Sequence, residues 1–151
     1  MAIVESRQYR TMVYEDDPDD YRPNSQMAVV LDPAKPDGEF VKGLAVVFER
    51  IAPGDRIPLH THTLEEVLII DEGTAEVTLG DEKRTVGAGA VVYIPINVAH
   101  GTKNIGGGEL RVHAIFPSQV ITIQYLERNP APGTEGNAPQ PMATVDIREW
   151  G

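Results

Sequence analysis

Between Gly54 and Asn104 the chain carries three of its four histidines in two short segments, separated by a glycine-punctuated run of β-forming residues. The first segment holds Gly54, His60, His62 and Glu66 and continues through Val67-Leu68-Ile69-Ile70 to Gly73. The second runs from Gly89 through Val91, Tyr93, Pro95 and Asn97 to His100 and Asn104. Successive side chains of a strand alternate between its faces, so residues of equal parity share one. His60 and His62 therefore point the same way, and Glu66 joins them if the strand continues unbroken. Leu68 and Ile70 keep that parity and supply an apolar floor. Two imidazoles and a carboxylate above such a floor are half of a metal cage, because transition metals take nitrogen and oxygen donors held on a rigid element. His100 completes the set if its strand lies opposite. Glu65 has the other parity and points away, while Asn104 is expected to fix its turn by hydrogen bonds.

The rest of the chain reads as short strands. Strand-like runs at Met27–Leu31, Leu44–Ile51, Val67–Ile70, Ala75–Leu79, Lys83–Val86, Val91–Ile94, Leu110–Phe116 and Val120–Leu126 are separated by Gly, Pro or Asp turn signals. Ile3–Val13 offers one further edge strand. A helical stripe of useful length and an internal repeat are both missing from this pattern. Many short strands at close spacing imply an all-β sandwich or barrel.

The two histidine segments resemble the paired motifs of the cupin superfamily. The first family motif runs G, five residues, H-x-H, three or four residues, E, six residues, G; Gly54, His60, His62, Glu66 and Gly73 fit it without a gap. The second runs G, five residues, P-x-G, two residues, H, three residues, N. Gly89, Pro95, His100 and Asn104 fit, and Asn97 stands where the family has glycine. Asn is among the few residues that tolerate positive φ, so the exchange is a mild one. Fifteen residues separate the motifs, the spacing of compact cupins. The resemblance implies a double-stranded β-helix, or jelly roll. It also implies one divalent metal ion on His60, His62, Glu66 and His100, with donor distances of roughly 2.0–2.3 Å. Iron and manganese suit the mixed donor set best; nickel, cobalt, copper and zinc are compatible with it.

Composition narrows the partners. Thirteen Lys and Arg stand against 23 Asp and Glu, a formal charge of −10, which disfavours nucleic acid and anionic membranes. No apolar run approaches the ~20 residues that span a bilayer. The N-terminus lacks a signal-peptide pattern and the chain has no cysteine, so a cytoplasmic location is expected. At 151 residues one domain is expected: a barrel core over about 40–126, an N-terminal arm over 1–39 and a Pro/Gly-rich C-terminal arm over 127–151. The acids of Glu15–Asp20 read as a solvated loop, since proline interrupts them and the EF-hand glycine is missing. Val145, Ile147 and Trp150 form a terminal apolar trio, and either this segment or the N-terminal strand is expected to cross to a second copy in a homodimer.

Four protein donors leave one or two positions on a five- or six-coordinate ion, an open layout suited to catalysis on a small-molecule substrate. The expected function is a metal-dependent enzyme acting on a small chelating polar or aromatic molecule, with non-haem dioxygenase chemistry favoured. The same ion serves as a Lewis acid in an isomerase, decarboxylase or lyase, and a non-catalytic small-molecule-binding cupin is the third reading. Acid–base chemistry needs a partner near the ion. Tyr93 and His113 are the candidates as catalytic donors, with Gln124, Tyr125 and Arg111 as further polar residues of the barrel strands.

Overall fold

Apolar side chains recur at alternate positions along the strands, and the chain buries them by stacking two antiparallel sheets. The computed structural model describes residues 3, 5–12, 20–30 and 43–150. The acids from Glu15 to Asp19, the Asp32-Pro33 end of the second strand, the Pro36-Asp37-Gly38 turn and the side chain of Trp150 lie outside the described residues. In chain order the strands are β1 (Arg10–Thr11), β2 (Gln26–Val30), β3 (Ala45–Ile51), β4 (Arg56–Thr61), β5 (Glu66–Glu72) and β6 (Thr74–Leu79). There follow β7 (Glu82–Gly87), β8 (Val91–Ile94), β9 (His100–Asn104), β10 (Leu110–Phe116), β11 (Val120–Tyr125) and β12 (Ala143–Asp146). One sheet has the order β1-β2-β3-β10-β5-β8 and the other β12-β11-β4-β9-β6-β7. Strands distant in sequence thus lie side by side in both sheets, and the fold is the all-β jelly roll. Among the described residues no helix is long and apolar enough to cross a membrane.

The register of the first sheet stacks its inward residues in rungs. Val47, Ala114 and Leu68 form one, and Glu49, Val112 and Ile70 the next. Facing them from the second sheet are Ile57, Ala75, Val77 and Ile121. Leu110, Val112, Ala114 and Phe116 of β10 are almost fully buried at the centre.

Two local devices set the geometry around the histidines. The β4–β9 ladder slips between Ile57 and His60, so a bulge puts both residues on the inner face although their parities differ. Opposite it, a Cβ on Gly101 would meet Ile57 O at 3.2 Å and Leu59 N at 3.3 Å, so the bulged backbone is accommodated by a missing side chain. Gly73 has φ +95°, and a Cβ there would sit 3.0 Å from Glu109 O and Leu110 Cα. Only glycine fits that turn.

The structure corrects two expectations and places both terminal segments. The strand carrying the histidines stops at Thr61; the chain turns over 62–65 and enters the other sheet, so Glu66 arrives on a different strand. β9 lies beside β4, with His60 paired to His100, instead of opposite it. The segment from Val145 packs within its own chain: β12 pairs with β11, and Ile147 is buried in the core. At the other end, among the described residues of the expected N-terminal strand, only the two of β1 are in strand, at a sheet edge.

Candidate metal centre

His60 comes from the end of β4, His62 from the turn beyond it, Glu66 from the start of β5 and His100 from the start of β9. All four are buried, and one donor atom from each lies within 4.8 Å of the others. The imidazole centroids are 4.1 Å apart for His60 and His100, 4.8 Å for His60 and His62, and 5.1 Å for His62 and His100. Phe116 packs edge-on against His62 at 5.2 Å, and Tyr125 lies 5.5 Å from His60.

The outer nitrogens decide what the inner ones present. His60 Nδ1 is 2.7 Å from Pro58 O, His62 Nδ1 is 2.6 Å from Thr122 O, and His100 Nδ1 is 2.9 Å from Val98 O. A backbone carbonyl only accepts, so each Nδ1 carries the proton and donates it. The neutral tautomer this selects leaves Nε2 as a lone pair. Yet His62 Nε2 lies 3.2 Å and His100 Nε2 3.0 Å from the same Glu66 Oε2. Lone pairs facing a carboxylate oxygen repel unless a cation or extra protons lie between them. A divalent ion fits this donor set, and the backbone carbonyls orient it as outer partners do in metal sites.

Without an ion, the contact falls to protons. Burial alone pushes Glu66 up, but its hydrogen bonds with His100 and His62 outweigh that and hold it down at about 2. Burial, reinforced by the charges of His100 and His62, pushes His60 down to about 3. His60 therefore stays neutral, as a metal ligand must be.

The cluster opens into a cavity of about 70 Å³ in the barrel, whose walls are largely aliphatic. Around it the second motif is held by hydrogen bonds. Asn104 is fully buried; its Nδ2 donates to Ile51 O and Gly108 O, both at 2.8 Å, and its Oδ1 accepts from Gly106 N at 3.0 Å. Asn97 has φ +62°, the left-handed turn conformation, and its N–H donates to His62 O at 2.8 Å.

Residues 47–116 match the family model described as "Cupin domain". The chain carries a cupin domain. This cupin is 29% identical over 96 residues to auxin-binding protein 1 of Arabidopsis thaliana, covering 58% of this chain and 48% of the relative. An uncharacterized protein of Methanocaldococcus jannaschii is 41% identical over 66 residues, 42% of this chain and 53% of the relative. The matches thus span about half the length of these two relatives. Among solved structures, salicylate 1,2-dioxygenase from Pseudoaminobacter salicylatoxidans superposes with a TM-score of 0.56 at 16% identity, over 63% of this chain and 25% of that one. KdgF from Halomonas sp. superposes at 0.53 with 22% identity, over 65% and 83%. At these identities the likeness is one of fold.

Tyr93 and His113 are not brought to the cluster. Both occupy the outward parity of their strands: Tyr93 is 72% exposed, and His113 stacks on Phe48 with its Nδ1 2.7 Å from Asp71 Oδ2 on the outer face. Arg111 and Gln124 also face outward, whereas Tyr125 lines the cavity. The sequence reading passed over Glu49, which lines the same cavity from the inward parity of β3. An acid in phase with Ala45, Val47 and Ile51 was the available signal.

Proposed function

We propose that this cupin binds one divalent cation through His60, His62, Glu66 and His100 and presents it to a small chelating molecule held in the barrel. The observation that carries this reading is the set of three Nδ1–H···O=C hydrogen bonds, which leave three Nε2 lone pairs in one cluster, two of them within 3.2 Å of Glu66 Oε2. Such an ion would supply Lewis acidity, or redox chemistry if it is iron or manganese. The aliphatic walls exclude water around the reacting group, and Phe116 and Tyr125 restrict how a flat ligand lies against the histidines. Our favoured reaction class is oxygenation by a non-haem dioxygenase, supported by a four-donor set that leaves room for substrate and dioxygen together. Oxygen uptake by iron- or manganese-loaded protein across a panel of enols, catechols and diketones tests it. Turnover at the same rate under strict anaerobiosis would favour the isomerase, decarboxylase or lyase reading instead.

The second reading is a binding protein without turnover. It is supported by the similarity to a protein named for auxin binding, together with a cavity that offers few groups for acid–base work. Binding of a ligand with no chemical change, in metal-loaded protein under air, would establish it. In either reading we place the functional unit in the 40–126 core of one 151-residue domain, with its termini as arms, working as a cytoplasmic homodimer without nucleic acid. Exposed Leu44, Val91, Tyr93 and Ile96 beside the β8 edge supply an apolar face for such pairing.

A further inference from the structure

Within the aliphatic wall of the cavity one carboxyl stands alone. Glu49 sits in the middle of β3, between the inward-facing Val47 and Ile51, and its side chain lines the cavity that the metal cluster opens into. Glu49 is half-buried and its carboxyl oxygens keep some accessibility. Among the described residues no hydrogen bond or ion pair to the Glu49 carboxyl is present, although buried polar groups nearly always have a partner. The charged groups acting on it are Glu66 and, in the opposite sense, Arg22 and His100. Arg22 is itself committed to Asp20 and to Met12 Sδ. Away from the cluster the wall is largely aliphatic, with Thr102 and Tyr125 its other polar side chains, and a carboxyl without a partner there costs stability, so its place points to a ligand rather than to the fold.

We propose that Glu49 is the second polar anchor of the cavity, hydrogen-bonding a hydroxyl or amino group at the far end of a ligand whose carboxylate or enol oxygen meets the metal. The proposal rests on the metal reading above and adds the ligand's class: a short, mostly apolar molecule with an anionic chelating head and a hydrogen-bond donor opposite it. The spacing follows from the register. Glu49 shares a rung with Ile70, and Glu66 lies four residues before Ile70 on β5. The strand rise offsets them by about 13 Å along the sheet, and the intervening β10 adds two strand spacings of about 4.8 Å, so the two backbones are about 16 Å apart. Less the reach of two glutamate side chains, the gap suits a single aromatic ring. The volume agrees, since about 70 Å³ holds a handful of waters or one small ring. Burial first, and Glu66 second, raise the Glu49 carboxyl to about 7, so it accepts from a hydroxyl when ionised and also donates when neutral.

The test uses the full chain loaded with Mn(II), titrated calorimetrically with benzoate, 3-hydroxybenzoate and 4-hydroxybenzoate. Wild type is expected to bind at least one hydroxybenzoate about tenfold more tightly than benzoate, the usual gain from a hydrogen bond to a charged group. Glu49→Met should shrink that ratio to within about twofold by weakening only the hydroxylated ligand. Glu49→Gln should keep part of the preference, since its amide oxygen still accepts. Manganese content, measured on the same samples, should be equal in all three proteins. Equal binding of the three ligands by metal-loaded wild type, or an undiminished preference in Glu49→Met, overturns the anchor and leaves the metal reading standing. Binding of none of them at full metal occupancy overturns the ligand class. Failure of wild type to take up metal removes the metal reading and the anchor with it. As a separate readout, Glu49→Met should melt no lower than wild type; a clear fall in Tm would assign Glu49 a structural role and overturn the proposal.

Discussion

Each cluster histidine commits its Nδ1–H to a backbone carbonyl, and the consequence is testable in Glu66. Glu66→Gln keeps the shape but removes the one anionic donor of the cluster, so its metal affinity should fall by about tenfold or more. Unchanged affinity in that variant would show that Glu66 does not hold the ion. His62→Ala should reduce bound metal in elemental analysis, and equal content in the two proteins would reject the centre. The same residues set the acid limb of stability. His60 is pushed from 6.5 to about 3, so the unfolded chain takes up its proton first. That contribution is complete above pH 6.5 and lost as pH falls toward 3. Glu66, lowered from 4.5 to about 2, acts in the same direction over a more acidic window. Glu49, raised from 4.5 to about 7, acts oppositely: its contribution is complete below 4.5 and lost as pH rises through 7. Urea unfolding of metal-free protein from pH 4 to 9 should show Glu49→Gln gaining on wild type above pH 7 and not at pH 4.5. A gap that does not change with pH would contradict the shift.

The elements that place these residues are where sequence and structure part company. Alternation along β3, β5 and β10 is clean, and the strands found there match the sequence reading to within a residue or two. The four ligand types were also readable, because histidines two apart and a glutamate four further on have few other uses together. What parity could not supply was the route by which they meet. A bulge in β4 changes which residues face inward, and no turn signal such as Gly or Pro marks the crossing at 62–65. Gly101 was visible as a letter, but its reason is the backbone of Ile57 and Leu59 passing 3.2–3.3 Å from where its Cβ would be. Tyr93 and His113 lie away from the cluster because alternation, applied to them as to the histidines, puts both on the outer face. Gly101→Ala tests the device itself. The bulge must give way by a few tenths of an ångström, at a cost of about 1–3 kcal/mol typical of overpacking. Because His100 is the neighbouring residue and His60 its ladder partner, metal affinity should drop in the same variant. Destabilisation with unchanged metal affinity would show that the bulge does not position the histidines.

At the level of the whole molecule, the two ends of the described chain pack onto the barrel instead of leaving it. Met12 and Met27 are buried from the N-terminal side and Ile147 from the C-terminal side. The two sides also meet: Tyr21 N–H donates to Asn129 O at 2.8 Å, and Asp20 bridges to Pro130. Val145 and Ile147 line the same cavity as the cluster, so the C-terminal segment forms part of the site's wall. This separates two outcomes for a chain truncated after Met142. If the segment belonged to an arm exchanged between copies, truncation would release folded monomers, and stability would depend on protein concentration only in the intact chain. With β12 on β11 and Ile147 in its own core, truncation instead strips one sheet edge and uncovers Ile121. Loss of Ile147 burial alone is worth about 1.5–3 kcal/mol. Thermal melts of the truncated chain should therefore fall by several degrees at every protein concentration, and sedimentation should report the same oligomeric state as the full chain until it unfolds. A truncated protein that melts like the intact one but sediments as a smaller species would return the segment to a partner.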